Sequence, residues 1–588
     1  MSVIIETLIF TAQQNIPQRN STEDRTDLGT ESDVNRGNFL ELLHLRCRDL
    51  PWLSFKLNEN LKKHSQWLSP EIQNEIFDIA ATLVRKAICK NVADAEVFSL
   101  IIDETTDASN TEQLALCIRY LFQGSIRESF VGFHSPQNTE GETLFLLIRR
   151  VLEELGLEIS NVVGQCYDGA ANMSGIHKGV ASRVQEIVPR ALYVHCYAHR
   201  LNLALQDTLE SNVILRNALG LIQSLHNFFH SPKRETILKS FNDHEKFGKF
   251  IKLKGICPTR WTCRLEAVKS VDCQILRVAY ALEYLSNEKD AKTSVDAKGL
   301  LSALLDFQFI LGLKVLKFIF EQTDCLARHL QGKAIDIACA HKMAVGTIFV
   351  LNSFRSETGF SEIWQRASEA AKSLQDHCDQ DIVVFLHRRP KPSKRVQALC
   401  GERVEIENAM SEKDKARCDV FYDAIDRVTA ELSERFTNKT SDILIALAAV
   451  VVENDANEED IRRISDFYGT QEELLRSERS LFRSLYSNKM KTAEDCVQLL
   501  AENGFDKTLP HFAKAARILA SIPAMSSSAE RSFSGLRRLK TYLRSTTGQA
   551  RLSNIAVLHL EREAVNRIDI ECIIDIFAQR HGRNKYFF

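Results

Sequence analysis

Three acidic residues that end or interrupt distant segments have the clearest chemical potential in this chain. Asp103 ends the apolar run of VFSLIIDET, Asp168 ends NVVGQCYD, and Glu530 lies in the helix-like stretch SSSAERSFS. Carboxylates that converge from separate parts of a fold can hold a pair of divalent cations, which activate one oxygen and stabilise another across a phosphodiester. Hard cations such as Mg²⁺ and Mn²⁺ take oxygen ligands, so a few carboxylates suffice. The alternative is that Asp103 and Asp168 are only turn residues at strand ends, where aspartate is common.

Composition limits the kind of protein this chain can be. It has 588 residues, of which 44% are hydrophobic and 26% charged, and its formal net charge is −2. At about 100–200 residues per domain, this length predicts about two to four globular domains. A net charge near zero is not that of a protein that coats nucleic acid with its whole surface. Any DNA contact must therefore come from local basic residues or from a further module.

Cysteine usage and hydropathy predict a soluble, intracellular protein. The 15 cysteines are odd in number and lie mostly inside apolar runs, which is typical of buried thiols in a reducing compartment. The opening MSVIIETLIF lacks the basic segment and cleavage site of a secretory signal. The apolar run at 443–452 is shorter than the roughly 18 residues that a membrane span needs, so it predicts a buried helix.

The hydrophobic period of residues 97–210 predicts the framework that positions two of the acids. Three strand-like segments come first: VFSLIIDET, QLALCIRYLF and IRESFVGFH. The second alternates, which predicts one buried face from Leu114 to Tyr120, and the Gln123-Gly124 pair predicts a hairpin. A helix ending at Gly156, a fourth strand, a helix, a fifth strand and another helix follow. This order predicts a ribonuclease H-like α/β domain, in which a central strand and its neighbour hold their acids at one sheet edge.

The remaining segments have a helical pattern. Ser69 is a predicted helix cap with Pro70 in the first turn. The stretch from about 210 to 510 shows no strand alternation, which predicts a large all-helical insertion between the second and third acids. The predicted organisation has five parts: a helical N-terminal region at 1–92 that is truncated, the first part of the α/β domain at 93–264, the helical insertion at 265–505, a return to the α/β domain at 506–575, and a tail at 576–588.

Several short motifs occur in the same order as in hAT-superfamily transposases, and this chain resembles that family from about residue 1 to 575. The motifs are DETTD, DGAANMSG, HCYAHRLNLAL, PTRW at 258–261, and IPAMSSSAERSFSGLRRLKTYLRSTTGQARLSNIAVLHLERE. More narrowly, they resemble the group described as zinc finger MYM-type 1-like or hAT dimerisation domain-containing. The resemblance implies that Asp103, Asp168 and Glu530 are the catalytic acids and the ligands of two Mg²⁺ or Mn²⁺ ions. The sequence departs from relatives that carry D-x-W-T, since this chain has DETTD at that position.

The resemblance also implies roles for residues outside the acids. Cys196 and His199 match a Cys-x-x-His pair, and Trp261 matches a tryptophan that stacks on a displaced base near the transposon end. Further predicted DNA contacts are the basic residues Arg260, Arg537, Arg538 and Lys540. The structural alternatives stay open, because a lone tryptophan is more often a core residue. The basic run at 388–395 fits a phosphate contact, a surface turn or a nuclear import signal equally.

Two assignments at the predicted sites have specific competitors. Asp107 follows Asp103 by four residues but already lies in a turn, so Asp103 is the predicted first acid and Glu104 a solvated neighbour. Cys196 and His199 suggest zinc, but structural zinc needs four ligands, usually in two spaced pairs. No second pair with matching spacing lies nearby in the sequence. We therefore predict that this pair packs and hydrogen-bonds beneath the carboxylates.

The C-terminal region is predicted to form two apolar helices that associate. The apolar stripes are Phe533, Leu536, Leu539 and Leu543 on the first helix, and Leu552, Ile555, Leu558 and Leu560 on the second. Such stripes pack against the sheet of the same chain or against another subunit. In the family that the chain resembles this segment is the dimerisation region, so we expect a homodimer or higher homo-oligomer.

Two functions are consistent with these features. The first is a nuclear DNA transposase that acts on transposon ends, without a membrane or a small-molecule cofactor. The second is a domesticated, catalytically inactive interaction or transcription-regulatory protein that keeps the fold and the dimer surface. The first 100 residues contain no Cys-x₂-Cys…His spacing, so we expect the DNA-reading finger of relatives to be missing. Specificity for a DNA sequence depends on such base contacts.

Overall fold

The chain forms two compact units. The computed structural model describes residues 1–19, 36–62, 67–175, 177–241, 243, 247–256, 261–332, 335–378, 410–438, 442–454, 456–486, 489–541 and 546–580. The first unit comprises Met1–Cys196, Lys333–Ala338 and Ser441–Phe588, and the second comprises Tyr197–Gly332 and Cys339–Thr440. The main divisions fall at 196/197 and 440/441, whereas the sequence placed them at 264/265 and 505/506.

A mixed sheet is the centre of the first unit. Within the described residues its strands are β1 (Phe98–Thr106), β2 (Glu112–Phe122), β3 (Ser125–His134), β4 (Val162–Tyr167) and β5 (Leu192–His195). They lie in the order β3-β2-β1-β4-β5. β1 is antiparallel to β2 and parallel to β4, β2 is antiparallel to β3, and β4 is parallel to β5. The predicted succession of a three-strand meander followed by two crossover strands is confirmed.

The β2–β3 hairpin turn has the backbone that its sequence requires. Gln123 has φ 51° and Gly124 has φ 77°. A two-residue hairpin of this type needs positive φ at both central positions, because its twist must match that of the strands. Glycine adopts this conformation without a Cβ penalty, so the predicted hairpin is confirmed.

The helices of the first unit cover the sheet. In chain order they are α1 (Ser2–Gln13), α2 (Asn38–Asp49), α3 (Pro51–Lys62), α4 (Pro70–Asp94), α5 (Gly141–Leu155), α6 (Ala171–Ser174), α7 (Val180–Ile187), α8 (Asp442–Val451), α9 (Glu458–Tyr468), α10 (Glu472–Tyr486), α11 (Ala493–Glu502), α12 (Pro510–Ser521), α13 (Ser527–Leu539), α14 (Gln549–Leu560), α15 (Arg562–Val565) and α16 (Ile570–Gln579). The Ser69 side chain caps α4 by accepting a hydrogen bond from the Ile72 N–H at 3.3 Å, with Pro70 in the first turn. α5 ends at Gly156, which has φ 68°. Both predicted helix ends are confirmed.

The described part of the second unit is helical. Its α-helices are Tyr197–Ser211, Val213–Phe229, Pro232–Ser240, Trp261–Asp272, Ile275–Ser286, Ala291–Leu304, Phe307–His329, Ile337–Ser353, Glu357–Cys378, Glu412–Ala416 and Asp423–Ser433, with π-helical turns at Arg417–Tyr422 and Glu434–Asn438. The first two residues of Ile337–Ser353 belong to the first unit. No single helix among the described residues has both the length and the apolar character needed to cross a bilayer, although two helix pairs bent by 70° and 77° pass that test when joined.

β2 is buried on the face that its alternation predicts and on the opposite face as well. Every residue from Gln113 to Tyr120 is buried, because α4, α12 and α13 all pack on this strand. Arg119 lies inside this packing and pairs with Glu128 at 2.8 Å. Its guanidinium also donates to the carbonyl oxygens of Ala520 and Ile335. Alternating apolar and polar residues therefore do not show that the second face of β2 is exposed. A buried arginine is stable on a covered face when a carboxylate and carbonyl oxygens accept its hydrogen bonds.

Candidate acidic site

Two of the predicted acids lie at the same level on neighbouring parallel strands. Ile101 of β1 is paired with Cys166 of β4. Asp103 and Asp168, each two residues further along, therefore follow the same register at the level where β4 ends, while β1 continues to Thr106. Neighbouring strands are about 4.8 Å apart, so the sheet itself sets the two acids side by side.

Contacts around Cys196 bring the third acid to the same sheet edge. Glu530 lies in the first turn of α13, which packs on β1 and β2. The residue before that helix, Ser526, donates its backbone N–H to the Cys196 Sγ at 3.3 Å. The Cys196 N–H in turn donates to the Tyr167 carbonyl oxygen, at the end of β4, at 2.9 Å. The start of α13 is thus fixed beside the strand end that precedes Asp168.

The three acids influence one another electrostatically. Burial raises the pKa of Asp103 well above its usual range, and the negative charges of Glu530 and Asp168 raise it further. The backbone N–H of Glu104, which donates to Asp103 Oδ1 at 3.0 Å, acts in the opposite direction. Like charges that share a site disfavour ionisation of one another. Asp103, Asp168 and Glu530 therefore form one acidic centre, which we call the acidic triad.

The acidic triad has the donor chemistry for hard cations but not a finished ligand geometry. Among the residues that the structure describes, no group of three or more His, Cys, Asp or Glu side chains has the arrangement of a metal site. Carboxylate oxygens are the ligands that Mg²⁺ and Mn²⁺ prefer. A divalent cation would offset the mutual repulsion that raises the pKa of Asp103. The acidic triad thus supplies the type of oxygen ligand that such ions take.

Glu104 is not the solvated neighbour that the sequence predicted. It is half-buried, and its Oε2 accepts a hydrogen bond from Asn172 Nδ2 at 2.9 Å. Burial raises the pKa of Glu104, while the Asn172 bond lowers it and the charge of Asp168 raises it. The correction follows from the loop after β4, which folds Asn172 back towards β1. This bond connects the two segments that carry Asp103 and Asp168.

Asp107 and Lys540 form a buried ion pair, which corrects the predicted role of Lys540. Lys540 Nζ lies 2.5 Å from Asp107 Oδ2, and the two side chains are 6% and 1% exposed. Burial opposes ionisation of Asp107, but hydrogen bonds from Lys540, Ser109 and the Thr111 N–H outweigh it and lower the pKa of Asp107 to about 2. An ammonium that is neutralised inside the fold is not available to a phosphate, so Lys540 is a structural residue.

Cys196 is buried, and its predicted partner belongs to the other unit. A hydrogen bond with the Cys166 thiol lowers the pKa of Cys196, and burial opposes that effect. His199 lies in the first helix of the second unit. The zinc alternative gains no support among the described residues, where no metal-ligand cluster occurs. The observed role of Cys196 is its hydrogen bond to the segment that leads into α13.

The other predicted DNA contacts have different settings. Arg537 and Arg538 are exposed near the end of α13, so their guanidinium groups are accessible to phosphate. Trp261 begins a helix of the second unit, but its side chain and the whole of Arg260 lie outside the described residues. The basic run at 388–395 also lies outside them.

The apolar stripes of the C-terminal helices pack within the first unit itself. Those that the structure describes belong to its hydrophobic core or pack against it: Phe533, Leu536, Leu539, Leu552, Ile555, Leu558 and Leu560. α14 contacts α1, α4 and β3. The Arg85 Nη1 of α4 donates a hydrogen bond to Asn554 Oδ1 of α14 at 3.0 Å. Of the two packing alternatives for these stripes, the intramolecular one is observed. Leu543 lies outside the described residues.

Some structural partners of the site were missed in the sequence. Asn172, Lys540 and Arg119 each bond a carboxylate from a remote segment or strand. A local signal existed only for Asp107, since Ser109 and Thr111 follow it at the spacing of an aspartate-capped turn. The other pairings depend on tertiary contacts that residue spacing does not encode.

Comparisons with known proteins match two regions of this chain and two related proteins. Residues 1–179 match the family model described as ZMYM1/FAM200, RNase-like domain, and residues 483–564 match the hAT family C-terminal dimerisation region. Asp103 and Asp168 fall in the first match and Glu530 in the second. The chain is also similar to the human protein named 52 kDa repressor of the inhibitor of the protein kinase, with 25% identity over 600 residues that cover 98% of this chain and 75% of that protein. The mouse protein of the same name is 25% identical over 601 residues, covering 98% of this chain and 76% of its own length. The chain therefore combines a match to an RNase-like domain in its N-terminal part with a match to a hAT dimerisation region in its C-terminal part.

Proposed function

We propose that the chain is a transposase-derived protein whose acidic triad binds divalent cations and cleaves or joins DNA strands. The observation that carries this proposal is the shared register of β1 and β4, which sets Asp103 beside Asp168, with the start of α13, the helix of Glu530, bound to Cys196 next to them. The raised pKa of Asp103, caused by burial and by the charges of Glu530 and Asp168, supports it. A fold gains no stability from three carboxylates that repel one another, so such a cluster is typical of a functional site. The helical second unit lies between the second and third acids in the chain, which supports its interpretation as an insertion in the RNase-like domain.

In this proposal Asp103, Asp168 and Glu530 hold two Mg²⁺ or Mn²⁺ ions. When bound, the ions would supply an activated water or 3′-hydroxyl and stabilise the leaving oxygen of the phosphodiester. The protein residues supply position. Asn172 holds Glu104, which fixes the loop after β4 against β1, and Cys196 fixes the start of α13. The exposed Arg537 and Arg538, with Arg260 and Trp261, are the proposed DNA contacts, and a nuclear location follows from this substrate.

Plasmid nicking tests the catalytic part of the proposal. Purified full-length protein with Mn²⁺ should relax supercoiled plasmid DNA, and D168N should lose that activity because it removes one carboxylate of the acidic triad. E153Q is the matched control, since it also neutralises a carboxylate in the first unit but on the exposed side of α5. Equal nicking by the wild type and D168N, or none by the wild type, would refute the catalytic role.

A second function is favoured by the relatives. Both curated relatives are named as a repressor, and the matched dimerisation region is folded into the core of the first unit. We therefore propose, as the alternative, a dimeric regulatory protein that does not process DNA. Removing residues 510–588 is not a usable test of dimerisation, because Phe533, Leu552 and Leu558 are core residues. Point changes on the surface of the full chain are required.

A further inference from the structure

The matched dimerisation region leaves little exposed apolar surface. Among the described residues of 483–564, the large hydrophobic side chain that is exposed is Leu485, at 53%. It lies on α10, the helix in which the match begins. Leu481 and Leu474 on the same helix are 53% and 43% exposed. Residues at i, i+7 and i+11 lie within an arc of about 40° around a helix, so the three leucines form one stripe about 16 Å long.

From Leu474 to Leu485 the exposed side of α10 carries no charge, and the exposed Glu473 lies just before this stretch in the first turn of the helix. From 474 to 485 the exposed residues are leucines and serines only: Leu474, Ser477, Ser480, Leu481, Ser484 and Leu485. Ser477 Oγ donates to the Leu474 carbonyl oxygen at 3.0 Å, and Ser484 Oγ donates to the Leu481 carbonyl oxygen at 2.7 Å. These hydroxyl groups therefore satisfy their donors within the helix. Solvent-facing helix surfaces usually carry charged side chains, whereas the centres of protein interfaces are depleted of them.

Arg479 and Arg483 of α10 are directed away from this face. Arg479 donates to the carbonyl oxygens of Val450 and Glu453 at 2.9 and 2.8 Å. Arg483 donates to the Val451 carbonyl oxygen at 3.0 Å. Such bonds to main-chain carbonyls hold the long cationic side chains against the segment after α8.

The opposite side of α10 is fully engaged with the first unit. Arg476 pairs with Glu458 of α9. Leu475 and Phe482 are buried, and Glu478 Oε2 accepts the Phe512 N–H at 2.8 Å. The helix is therefore anchored on one side, and its leucine–serine face is left to solvent as a rigid, preformed surface.

We propose that the leucine–serine face of α10 is the centre of the contact between two copies of this chain. The inference rests on the proposed dimerisation and names its surface. The occupant is a second copy because the region that matches a dimerisation family begins within this helix, while its other described apolar stripes are internal. A two-fold contact is self-complementary, so the same leucines meet across it, and the small serines allow the two helices to approach closely.

The size of the face limits its role to the centre of the interface. A strip about 16 Å long and about 10 Å wide, the diameter of a helix, covers about 160 Å² of each copy. A stable interface buries about 800 Å² per partner, so surrounding surface contributes the rim. A few central residues usually carry most of the binding energy. Placing a charge on Leu481 should therefore raise the dissociation constant at least about 100-fold, since a buried charge is added and a buried leucine is lost.

Sedimentation velocity on the full chain across a range of concentrations tests this surface. Wild-type protein should be dimeric, and L481E and L481E/L485E should be monomeric with unchanged thermal melting. L146E is the matched control, because Leu146 on α5 is 54% exposed in the same unit, and it should remain dimeric. A dimer of L481E/L485E with wild-type affinity would overturn the surface while leaving dimerisation intact.

The other outcomes are equally decisive. A wild-type chain that stays monomeric at the highest concentration would overturn both the proposed dimerisation and this surface. Loss of association in L146E as well would overturn the specific role of α10. If the charged double variant loses its thermal transition, L481Q/L485Q provides the same comparison without adding charge.

Discussion

Replacing Lys540 by methionine should destabilise the first unit far more than the same change at Arg537, three residues earlier. Lys540 Nζ lies 2.5 Å from Asp107 Oδ2, and both side chains are buried, whereas Arg537 is exposed. At 2.5 Å with an effective dielectric of about 20, the attraction is roughly 6–7 kcal/mol before desolvation. Removing one partner of a buried pair costs about 3–5 kcal/mol. The hydrogen bonds that Asp107 keeps from Ser109 and Gln113 place K540M near 3 kcal/mol.

Hydrogen exchange is the most direct assay, because it reports the local stability around Asp107 separately from that of the second unit. A loss of about 3 kcal/mol in local stability corresponds to exchange more than about 100-fold faster in peptides that contain Asp107 and Gln113. R537M should change local stability by less than about 0.5 kcal/mol. Equal exchange in K540M and R537M would show that the buried pair does not stabilise the fold.

The same pair has a pH dependence of known sign. The pKa of Asp107 is lowered to about 2, below the unfolded value of about 3.9. Its contribution is therefore present above about pH 3.9 and is lost as the pH falls towards about 2. The difference in unfolding free energy between the wild type and D107N, measured by urea unfolding, should be smaller at pH 3 than at pH 5. A constant difference would contradict the lowered pKa.

Three further changes test the acidic triad and the framework around it. Because the pKa of Asp103 is raised, its ionised form opposes folding above about pH 3.9. D103N should therefore have a higher melting temperature than the wild type at pH 7 without divalent cations. Added Mn²⁺ should raise the melting temperature of the wild type but not the melting temperature of D103N. S69A removes the cap of α4 and should cost about 1 kcal/mol, measured by hydrogen exchange in the first turn of α4. G156A places a Cβ on a residue with φ 68°, and no heavy atom lies within 4 Å of it. Its expected cost of about 1 kcal/mol in unfolding free energy is therefore a backbone effect. G156N should cost less in urea titrations, because asparagine tolerates this conformation.

The strands and their order were predictable because their signals are local. The continuous apolar run of β1 predicts a strand covered on both faces, and Gln123-Gly124 predicts the hairpin through its backbone conformation alone. From strand order, Asp103 and Asp168 could be expected at one sheet edge. The burial of both faces of β2 could not be predicted. An arginine such as Arg119 is usually exposed, and only the fold brings Glu128 and the Ala520 carbonyl oxygen to accept its hydrogen bonds.

The misassigned residues share one physical cause, which is pairing across long sequence separations. Lys540 looks like a DNA contact in a basic helix, yet its partner Asp107 lies 433 residues earlier. Glu104 looks solvated until Asn172, 68 residues away, is placed beside it. Residue type predicts the charge of a side chain, but whether that charge faces solvent depends on which remote segment the fold brings to it.

The C-terminal region illustrates the same limit for association. The spacing of leucines along a helix is the same whether the helix packs on the sheet of its own chain or on another subunit. The sequence therefore could not show which of the two packs against the apolar stripes of α13 and α14. Once the fold places those stripes inside, the exposed leucines of α10 become informative, because Arg479 and Arg483 are drawn away from them to main-chain carbonyl oxygens. A sequence that contains RSERSLFRSLY seems well charged on all sides. The direction of Arg479 and Arg483 leaves the exposed residues from Leu474 to Leu485 uncharged, which supports the proposed contact with a second copy of the chain.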